Sequence, residues 1–174
     1  MTRTPDGPSG PDIMWAPWRI DYVASGAGRD AAARECVFCA LPARGDDAAA
    51  YILHRGRNCY VVLNRYPYNN GHLMVVPFAH RDDLTTLDEA TTAEMMTLTQ
   101  RAQHVMGGAM RPHGFNIGIN QGTAAGAGIA DHLHLHVVPR WSGDTNFMPA
   151  IGDCRVMPQH LDATYELLKP GFSE

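Results

Sequence analysis

The chain has 174 residues, enough for one folded domain, with 45% hydrophobic residues, 18% charged residues and a formal net charge of −4. The negative charge argues against a nucleic-acid-binding surface that works by bulk electrostatics, and no stretch approaches the roughly 18 consecutive apolar residues of a membrane span. The first residues, MTRTPDGPSGPD, lack the apolar core of a secretory signal peptide, so we expect a cytoplasmic protein whose four cysteines are reduced.

The N-terminal part of the chain differs in composition from the rest. Residues 1–13 are rich in proline and glycine and predict a disordered tail. The aromatic arm that follows contains Trp15, Trp18 and Tyr22, too much apolar surface to lie in solvent, so we expect it to pack on the body or on a partner subunit. We therefore divide the chain into a tail and arm over 1–33 and a single domain over 34–174.

From residue 50 onward the pattern is typical of β-strands. Two segments, 51–54 and 58–63, flank an Arg-Gly-Arg turn and predict a hairpin. A loop rich in turn residues precedes a third strand over 72–76, which Pro77 ends. A fourth strand over 115–120 and a fifth over 133–139 lie later in the chain.

A helix is predicted between the third and fourth strands, over 86–107. Apolar residues at spacings of three and four predict its buried face: Met95, Leu98, Ala102, Val105 and Ala109. Thr86 and Glu89 form the signature of a capping box at its start, and Gly107-Gly108 ends it. A short helix from Pro158 to Leu168 follows the last strand. Because no βαβ alternation occurs, this order predicts an α+β domain, an antiparallel sheet with a helix on one face.

Three of the nine histidines alternate in the run His132-Leu133-His134-Leu135-His136. On a strand they share one face, since successive side chains point to opposite sides. Three interpretations compete: structural histidines, a zinc or non-haem metal site, and phosphoryl chemistry in which an imidazole attacks phosphorus. The preceding loop, Asn120–Gly128, has three glycines and no large side chain, so its backbone N–H groups can converge on an anion. This loop favours phosphoryl chemistry.

The segment from His132 to Val138 matches the H-φ-H-φ-H-φ-φ signature of the histidine triad (HIT) family at every position. Asn120, Gly71–Pro77 and Cys36-x-x-Cys39 also fall where that family has related segments, so the chain resembles the family over residues 34–141. The resemblance implies a five-stranded antiparallel sheet with one long and one short helix, paired into a joint sheet in a homodimer. The aromatic arm could extend this dimer to a tetramer.

The resemblance also implies a mechanism, in which His134 attacks the α-phosphate of a nucleotide to form a nucleotidyl-histidine. It assigns His136 to the phosphate or the leaving group, and His72 to the orientation of His134. The side chain and backbone groups that hold the phosphates are then Asn120, Gly126, Ala127 and Gly128. Many members carry Ser or Gln shortly before the triad, whereas this chain has Ala127-Gly128, so backbone donors must replace a side chain.

Two further residues are candidate nucleoside contacts. Asn64 either binds a ribose hydroxyl or starts the turn before Tyr66, and the resemblance favours the ribose. Trp141 either stacks on an adenine or packs within the protein, and the residues alone favour packing.

The pair Cys36-x-x-Cys39 has zinc-knuckle spacing but supplies only two of four ligands. A thioredoxin-like redox pair would need a βαβ setting, which is absent. The resemblance implies that His80 and His132 complete a structural zinc site, which would remove His132 from the chemistry. The alternative is a reduced pair of thiols without metal. No organic cofactor is expected.

Longer stretches, such as Tyr66–Pro77 and His136–Trp141, resemble the actinobacterial diadenosine tetraphosphate phosphorylase branch of the family. This resemblance implies phosphorolysis of diadenosine tetraphosphate to ATP and ADP. With water as the acceptor, the same intermediate gives a hydrolase of dinucleoside polyphosphates or nucleoside phosphoramidates. An inactive nucleotide-binding protein is a third alternative. The expected partners are adenine nucleotides, phosphate and a second copy of the chain.

Overall fold

A computed structural model describes residues 36–144 and 159–173. The predicted tail, the aromatic arm, Cys154 and Pro158 lie outside the described residues. The helices and strands in chain order are α1 (Val37–Ala43), β1 (Ile52–Arg55), β2 (Cys59–Leu63), β3 (Leu73–Pro77), α2 (Glu89–Met110), β4 (Gly114–Ile119), β5 (Leu135–Arg140) and α3 (Leu161–Leu168). Three short 3₁₀ helices, Leu84–Thr86, Thr123–Ala125 and Lys169–Phe172, connect or end these elements.

The five strands form one antiparallel sheet in the order β1-β2-β3-β5-β4, so the predicted α+β fold and sheet are confirmed. The predicted hairpin joins β1 to β2, and the Glu94 carboxylate accepts from the N–H groups of Arg57 (2.6 Å) and Asn58 (2.7 Å) at its turn. β5 pairs with β3 on one side and β4 on the other, so the strand that the histidine run leads into is an interior strand of the sheet. No helix among the described residues is long and apolar enough to cross a bilayer.

The long helix α2 begins later than predicted, because its N-cap is Asp88, whose carboxylate accepts from Thr91 N–H at 2.7 Å. The predicted capping box was wrong: Thr86 belongs to the preceding 3₁₀ helix, which Asp83 caps. The helix also continues through Gly107 and Gly108, since an interior glycine costs only about 1 kcal/mol relative to alanine. It ends at Met110, where Pro112 disfavours helical backbone in the residue before it. Arg111 adopts a left-handed conformation with φ of 49°.

The sheet is covered on both faces. Helices α2 and α3 pack on one face, where the buried cluster includes Leu53, Val61, Leu73, Val75, Met95, Leu98, Ala102, Met106, Val137 and Leu168. The predicted apolar stripe of α2 is right at its first three positions. At the end of the helix Met106 is buried and Val105 is half-buried. Ala109 is exposed, although a 3.6-residue period places it on the same face as Leu98 and Ala102. A second cluster around Phe38 and Tyr60 lies on the opposite face.

Strand β5 begins later in the histidine run than predicted. The ladder of β5 begins at Leu135, so His132 and His134 precede it and only His136 is paired with β3 and β4. The alternation nevertheless holds, because Leu133 and Leu135 are buried in the α2 cluster while the histidines lie on the other face. The last helix begins at Leu161 rather than at Pro158.

Candidate functional site

The three histidines of the run are buried, with 0%, 4% and 8% of His132, His134 and His136 exposed. The His134 ring lies between two other rings, with centroid distances of 4.8 Å to Phe38 of α1 and 4.8 Å to His136. Phe38 also contacts the edge of His132 at 5.5 Å. Helix α1 therefore forms one wall of the site, a role that the motif around its two cysteines did not reveal.

Hydrogen bonding fixes which nitrogen of His134 carries the proton. Its Nδ1 lies 2.8 Å from the carbonyl oxygen of His132. A carbonyl can only accept, so Nδ1 carries the hydrogen and Nε2 keeps its lone pair. Burial lowers the pKa of His134 below its ordinary value, and the bond to the His132 carbonyl opposes part of that shift. Burial thus favours the neutral ring, with the lone pair on Nε2.

A chain of hydrogen bonds runs from the loop before β3 through His72 to His136. The Tyr68 backbone N–H donates to Nδ1 of His72 (3.0 Å), and the Asn64 side-chain amide lies 3.3 Å from the same nitrogen. Nδ1 of His72 is therefore an acceptor, and its Nε2–H donates to Nδ1 of His136 at 3.0 Å. This arrangement leaves the proton of His136 on Nε2. The hydrogen bond joins His72 to His136, and the orientation of His134 that the resemblance assigns to His72 stays a prediction.

Tyr68 is a residue of this site that sequence reasoning missed. Its ring centroid lies 4.6 Å from that of His72 and 5.6 Å from that of His136. The ring covers the pair from the loop between β2 and β3 and is 42% exposed. Because a loop residue belongs to no helical or strand period, no periodic signal marked it.

The glycine-rich loop folds on itself between β4 and β5. Gly122 and Gly126 have φ values of 76° and 81°, a conformation that favours glycine. The Ala127 N–H donates to the Gly122 carbonyl (3.3 Å), and the Gly126 N–H donates to the Thr123 carbonyl (3.0 Å). Of the three backbone donors expected to hold phosphate, two are therefore bonded within the loop, whereas Gly128 N–H has no acceptor among the described residues.

The remaining predicted contacts differ in their surroundings. Asn120 lies half-buried at the end of β4, and its amide has no hydrogen-bond partner within residues 36–144 and 159–173. Asn64 accepts from Tyr66 N–H at 2.9 Å, so it does form the turn that was its alternative role. The Trp141 indole donates to the Met110 carbonyl at 3.3 Å, and therefore packs against the end of α2.

One cavity of about 370 Å³ lies beside the end of β2 and the start of α3, and His134 is not among its lining residues. It is lined by His72 and Leu63 on one side and by residues at the start of α3, such as Asp162, on the other. Within the lining, the Tyr51 hydroxyl donates to Asp162 at 2.7 Å and raises its own pKa by doing so. We assign no role to this cavity.

The four predicted metal ligands lie together, with their ligand atoms all within 4.8 Å of one another. The two cysteines come from the start of α1, His80 follows β3, and His132 precedes β5. Measured distances are 3.4 Å for Cys36 Sγ to His132 Nδ1, 3.4 Å for Cys39 Sγ to His80 Nδ1, and 3.3 Å between the two Nδ1 atoms. A tetrahedral zinc site with ordinary bond lengths has S···N edges of about 3.6 Å and an N···N edge of about 3.3 Å. The cluster therefore fits zinc.

His132 is also in the tautomer that a metal ligand needs. Its Nε2–H donates to the Pro77 carbonyl at 2.9 Å, so Nδ1 keeps its lone pair toward the two sulfur atoms. A backbone carbonyl bonded to the remote nitrogen is the usual orienting contact of a metal-bound histidine. Burial, opposed by this bond, lowers the pKa of His132 and favours the neutral ring that binds metal.

Comparison with known proteins places this geometry in a family. The profile of the HIT domain matches residues 47–143. The chain belongs to the HIT family. This HIT chain is 45% identical over 159 residues to AP-4-A phosphorylase of Mycobacterium tuberculosis, covering 89% of this chain and 81% of the relative.

The HIT chain is also similar to two further proteins. It is 28% identical to the adenylylsulfatase HINT3 of Arabidopsis thaliana over 79% of this chain and 72% of that one. Its fold superposes on a Zn-bound histidine triad family protein from Mycobacterium smegmatis with a TM-score of 0.65 and 31% identity, covering 80% of this chain and 94% of that one. The chain is therefore a nucleotide-processing enzyme of the HIT family, and it has a Cys/His group able to bind metal.

Proposed function

We propose that the protein transfers a nucleotidyl group through a covalent intermediate on His134, and that its reaction is the phosphorolysis of diadenosine tetraphosphate to ATP and ADP. The observation that carries the proposal is the buried, neutral His134, whose Nε2 lone pair is fixed by the bond from Nδ1 to the His132 carbonyl. The 45% identity to an AP-4-A phosphorylase supports the choice of substrate and acceptor.

In the first step, Nε2 of His134 attacks the α-phosphorus, the bond to the bridging oxygen breaks, and ATP leaves with that electron pair. The positive charge that develops on the ring is stabilised by the Nδ1–H···O bond to the His132 carbonyl. His136 donates its Nε2–H to the phosphate oxygens as their charge grows. In the second step, an oxygen of inorganic phosphate attacks the same phosphorus, the P–N bond breaks, and ADP forms with His134 restored.

The nucleotide is held by few groups in this proposal. Asn120 and the Gly128 N–H contact the phosphates, since neither has a partner elsewhere in the described part of the chain. Asn64 keeps one lone pair of Oδ1 for a ribose hydroxyl, because Tyr66 N–H uses only the other. Trp141 contacts the base only through its ring, as its N–H is bonded to Met110.

We further propose that Cys36, Cys39, His80 and His132 hold a structural zinc ion, which supports the fold and takes no part in the reaction. The closed set of four protein ligands leaves no position for water or substrate. The His132 carbonyl orients His134, so a ligand set that fixes His132 also fixes the nucleophile.

Product analysis tests the proposed reaction and separates it from its alternatives. The protein is incubated with diadenosine tetraphosphate, with and without inorganic phosphate. ATP and ADP formed only with phosphate support phosphorolysis. AMP and ATP formed without phosphate would identify a hydrolase, and binding without turnover would identify an inactive nucleotide-binding protein.

A further inference from the structure

The segment between β3 and α2 touches both groups of site residues. It follows directly after His80, and its Arg81 carbonyl accepts from Leu133 N–H at 2.6 Å, between His132 and His134. Three residues later, Leu84 N–H donates to Oε1 of Gln121 at 3.3 Å. Segment 81–84 therefore contacts the histidine run at one end and the glycine-rich loop at the other.

Gln121 lies beside this segment and contacts it through its side-chain amide. Oε1 accepts from Leu84 N–H, and the amide lies near enough to the Asp83 carboxylate to help lower its pKa. The Thr85 backbone N–H, at 2.8 Å, is the main group that lowers the pKa of Asp83, and the Gln121 amide adds to this shift as a hydrogen-bond donor does. An amide offers an acceptor and a donor on one planar group, so glutamine matches both partners.

The position of Gln121 determines where the loop begins. It lies between Asn120 and Gly122, and Gly122 turns the chain with its positive φ. The Gly122 carbonyl then accepts from Ala125 N–H (3.2 Å) and Ala127 N–H (3.3 Å). A shift of Gln121 would therefore move the acceptor around which the rest of the loop is folded.

We propose that Gln121 is a positioning residue that couples the Cys36-Cys39-His80-His132 cluster to the glycine-rich loop through segment 81–84. This inference rests on the proposed function, in which the loop holds nucleotide phosphates and the cluster holds zinc. Coupling between two sites is reciprocal. A nucleotide bound at the loop therefore raises zinc affinity by the same factor by which zinc raises nucleotide affinity.

The test uses the zinc-loaded full chain, with AMP as the probe. Gln121→Glu removes the amide donor and places a second carboxylate beside Asp83, and Gln100→Glu, at an exposed position of α2, is the charge-matched control. We expect the Kd for AMP to rise about three- to tenfold in Gln121→Glu, the effect of losing one donor and placing a carboxylate beside Asp83. Zinc content is expected to stay stoichiometric in both variants.

Competition with a chelator, with and without AMP, measures the coupling itself. AMP should raise zinc affinity in the wild type and in Gln100→Glu, and by a smaller factor in Gln121→Glu. Hydrogen exchange should quicken over residues 122–128 in Gln121→Glu alone. An unchanged Kd for AMP, or the same AMP-dependent factor in all three proteins, overturns the proposal.

Two controls keep the test decisive. If Gln121→Glu does not fold, Gln121→Ala removes both the acceptor and the donor without adding charge and is judged by the same outcomes. If the wild type binds zinc but neither binds AMP nor turns over substrate, the proposed function fails. The coupling is then judged by hydrogen exchange over 122–128, and equal exchange in wild type and variant rejects it.

Discussion

In each histidine of the run, the two ring nitrogens have different hydrogen-bonding roles. In His132 and His134 one nitrogen donates to a backbone carbonyl, which leaves a lone pair on the other. The lone pair of His132 faces two thiols, whereas that of His134 is the proposed nucleophile. In His136 the order is reversed, because Nδ1 accepts from His72 and Nε2 keeps the proton. In the proposed roles, three residues of one type thus serve as a metal ligand, a nucleophile and a donor.

Replacement of the proposed nucleophile is the most direct test of these assignments. We expect His134→Ala to lower kcat at least about 10³-fold, since no other side chain would form the covalent intermediate. His104→Ala, at an exposed position on α2, is the control and should keep wild-type activity. Rapid-quench isolation of the adenylylated protein provides the second measurement. Turnover that persists in His134→Ala would refute the assignment.

The glycine-rich loop allows a prediction of improved activity. Gly128→Ser should raise kcat/KM about three- to tenfold, because a hydroxyl adds a hydrogen bond to a charged phosphate. Gly128 does not have a positive φ, so a side chain is compatible with its backbone. Gly128→Ala adds the Cβ without the hydroxyl and should leave kcat/KM near the wild-type value. Steady-state kinetics decide between them, and equal gains in both variants would show that the hydroxyl is irrelevant.

The reactivity of the thiols tests the metal cluster, with the third described cysteine as an internal comparison. Cys59 is buried, and burial raises its pKa to about 12, so it stays a protonated thiol at pH 8. We expect iodoacetamide to label none of Cys36, Cys39 and Cys59 in the zinc-loaded protein, and to label only Cys36 and Cys39 after chelation. Peptide mass spectrometry locates the label.

Metal analysis completes that test. Protein purified without added zinc should contain stoichiometric zinc, and Cys36→Ser should lose most of it. Low zinc in both proteins, or rapid labelling of Cys36 before chelation, would reject the zinc site.

Among the elements, helix α2 shows how a local pattern can mislead. Thr86 and Glu89 have the spacing of a capping box, yet the structure uses Asp88, two residues after Thr86. Asp83 and Asp88 cap two successive helices. A carboxylate at the N-cap accepts a hydrogen bond from a backbone N–H, and its negative charge interacts favourably with the positive end of the helix dipole. The sequence contains both signatures, and the path of the chain between β3 and α2 decides which one is used.

Removal of the observed cap tests this assignment. Asp88→Ala should lower Tm by a few degrees at pH 7, whereas Glu89→Ala should have a smaller effect. The Thr91 N–H lowers the pKa of Asp88 below its ordinary value, so the carboxylate stabilises the fold above the unfolded pKa and this contribution is lost as pH falls through the folded pKa. The difference in Tm should therefore shrink below about pH 4. A difference independent of pH would argue against the cap.

Much of the site could be predicted because it lies in short contiguous motifs. The alternation of His132, His134 and His136 identifies their shared face, and the resemblance adds the four metal ligands. The bond between His72 and His136 could not be predicted from the residues, because it depends on the register of β3 and β5, strands separated by a long helix and a further strand. The same holds for the bonds of Gly126 and Ala127 within their loop, which depend on backbone conformation rather than on residue type.

For the whole molecule, the two edges of the sheet differ. The C-terminal 3₁₀ helix covers β1, where Lys169 Nζ donates to the Leu53 carbonyl at 2.9 Å and His54 Nδ1 donates to Phe172 at 3.2 Å. No described residue covers β4 in this way, and its Ile117 is 43% exposed. An uncovered edge strand is a template for pairing with another chain. The predicted homodimer therefore has a surface available on β4.

The oligomeric state tests this prediction. Light scattering during gel filtration should give the mass of two chains for the wild type, or of four if the aromatic arm joins two dimers. Ile117→Lys should shift the protein toward the monomer, because a lysine on the pairing edge opposes association. Met96→Lys, which changes an exposed apolar residue of α2, should remain dimeric. A monomeric wild type, or a dimer unaffected by Ile117→Lys, would contradict the prediction.

The hydrogen-bond chain from Tyr68 to His136 has a fixed direction, because it starts at a main-chain N–H that cannot give up its proton. With Nδ1 of His136 occupied and Nε2 protonated, this ring cannot act as a general base. A water molecule entering the second step would find no proton acceptor there, whereas a phosphate dianion brings its own negatively charged oxygen. In the proposed mechanism, the same geometry that makes His136 a donor therefore favours incoming acceptors that are already anionic.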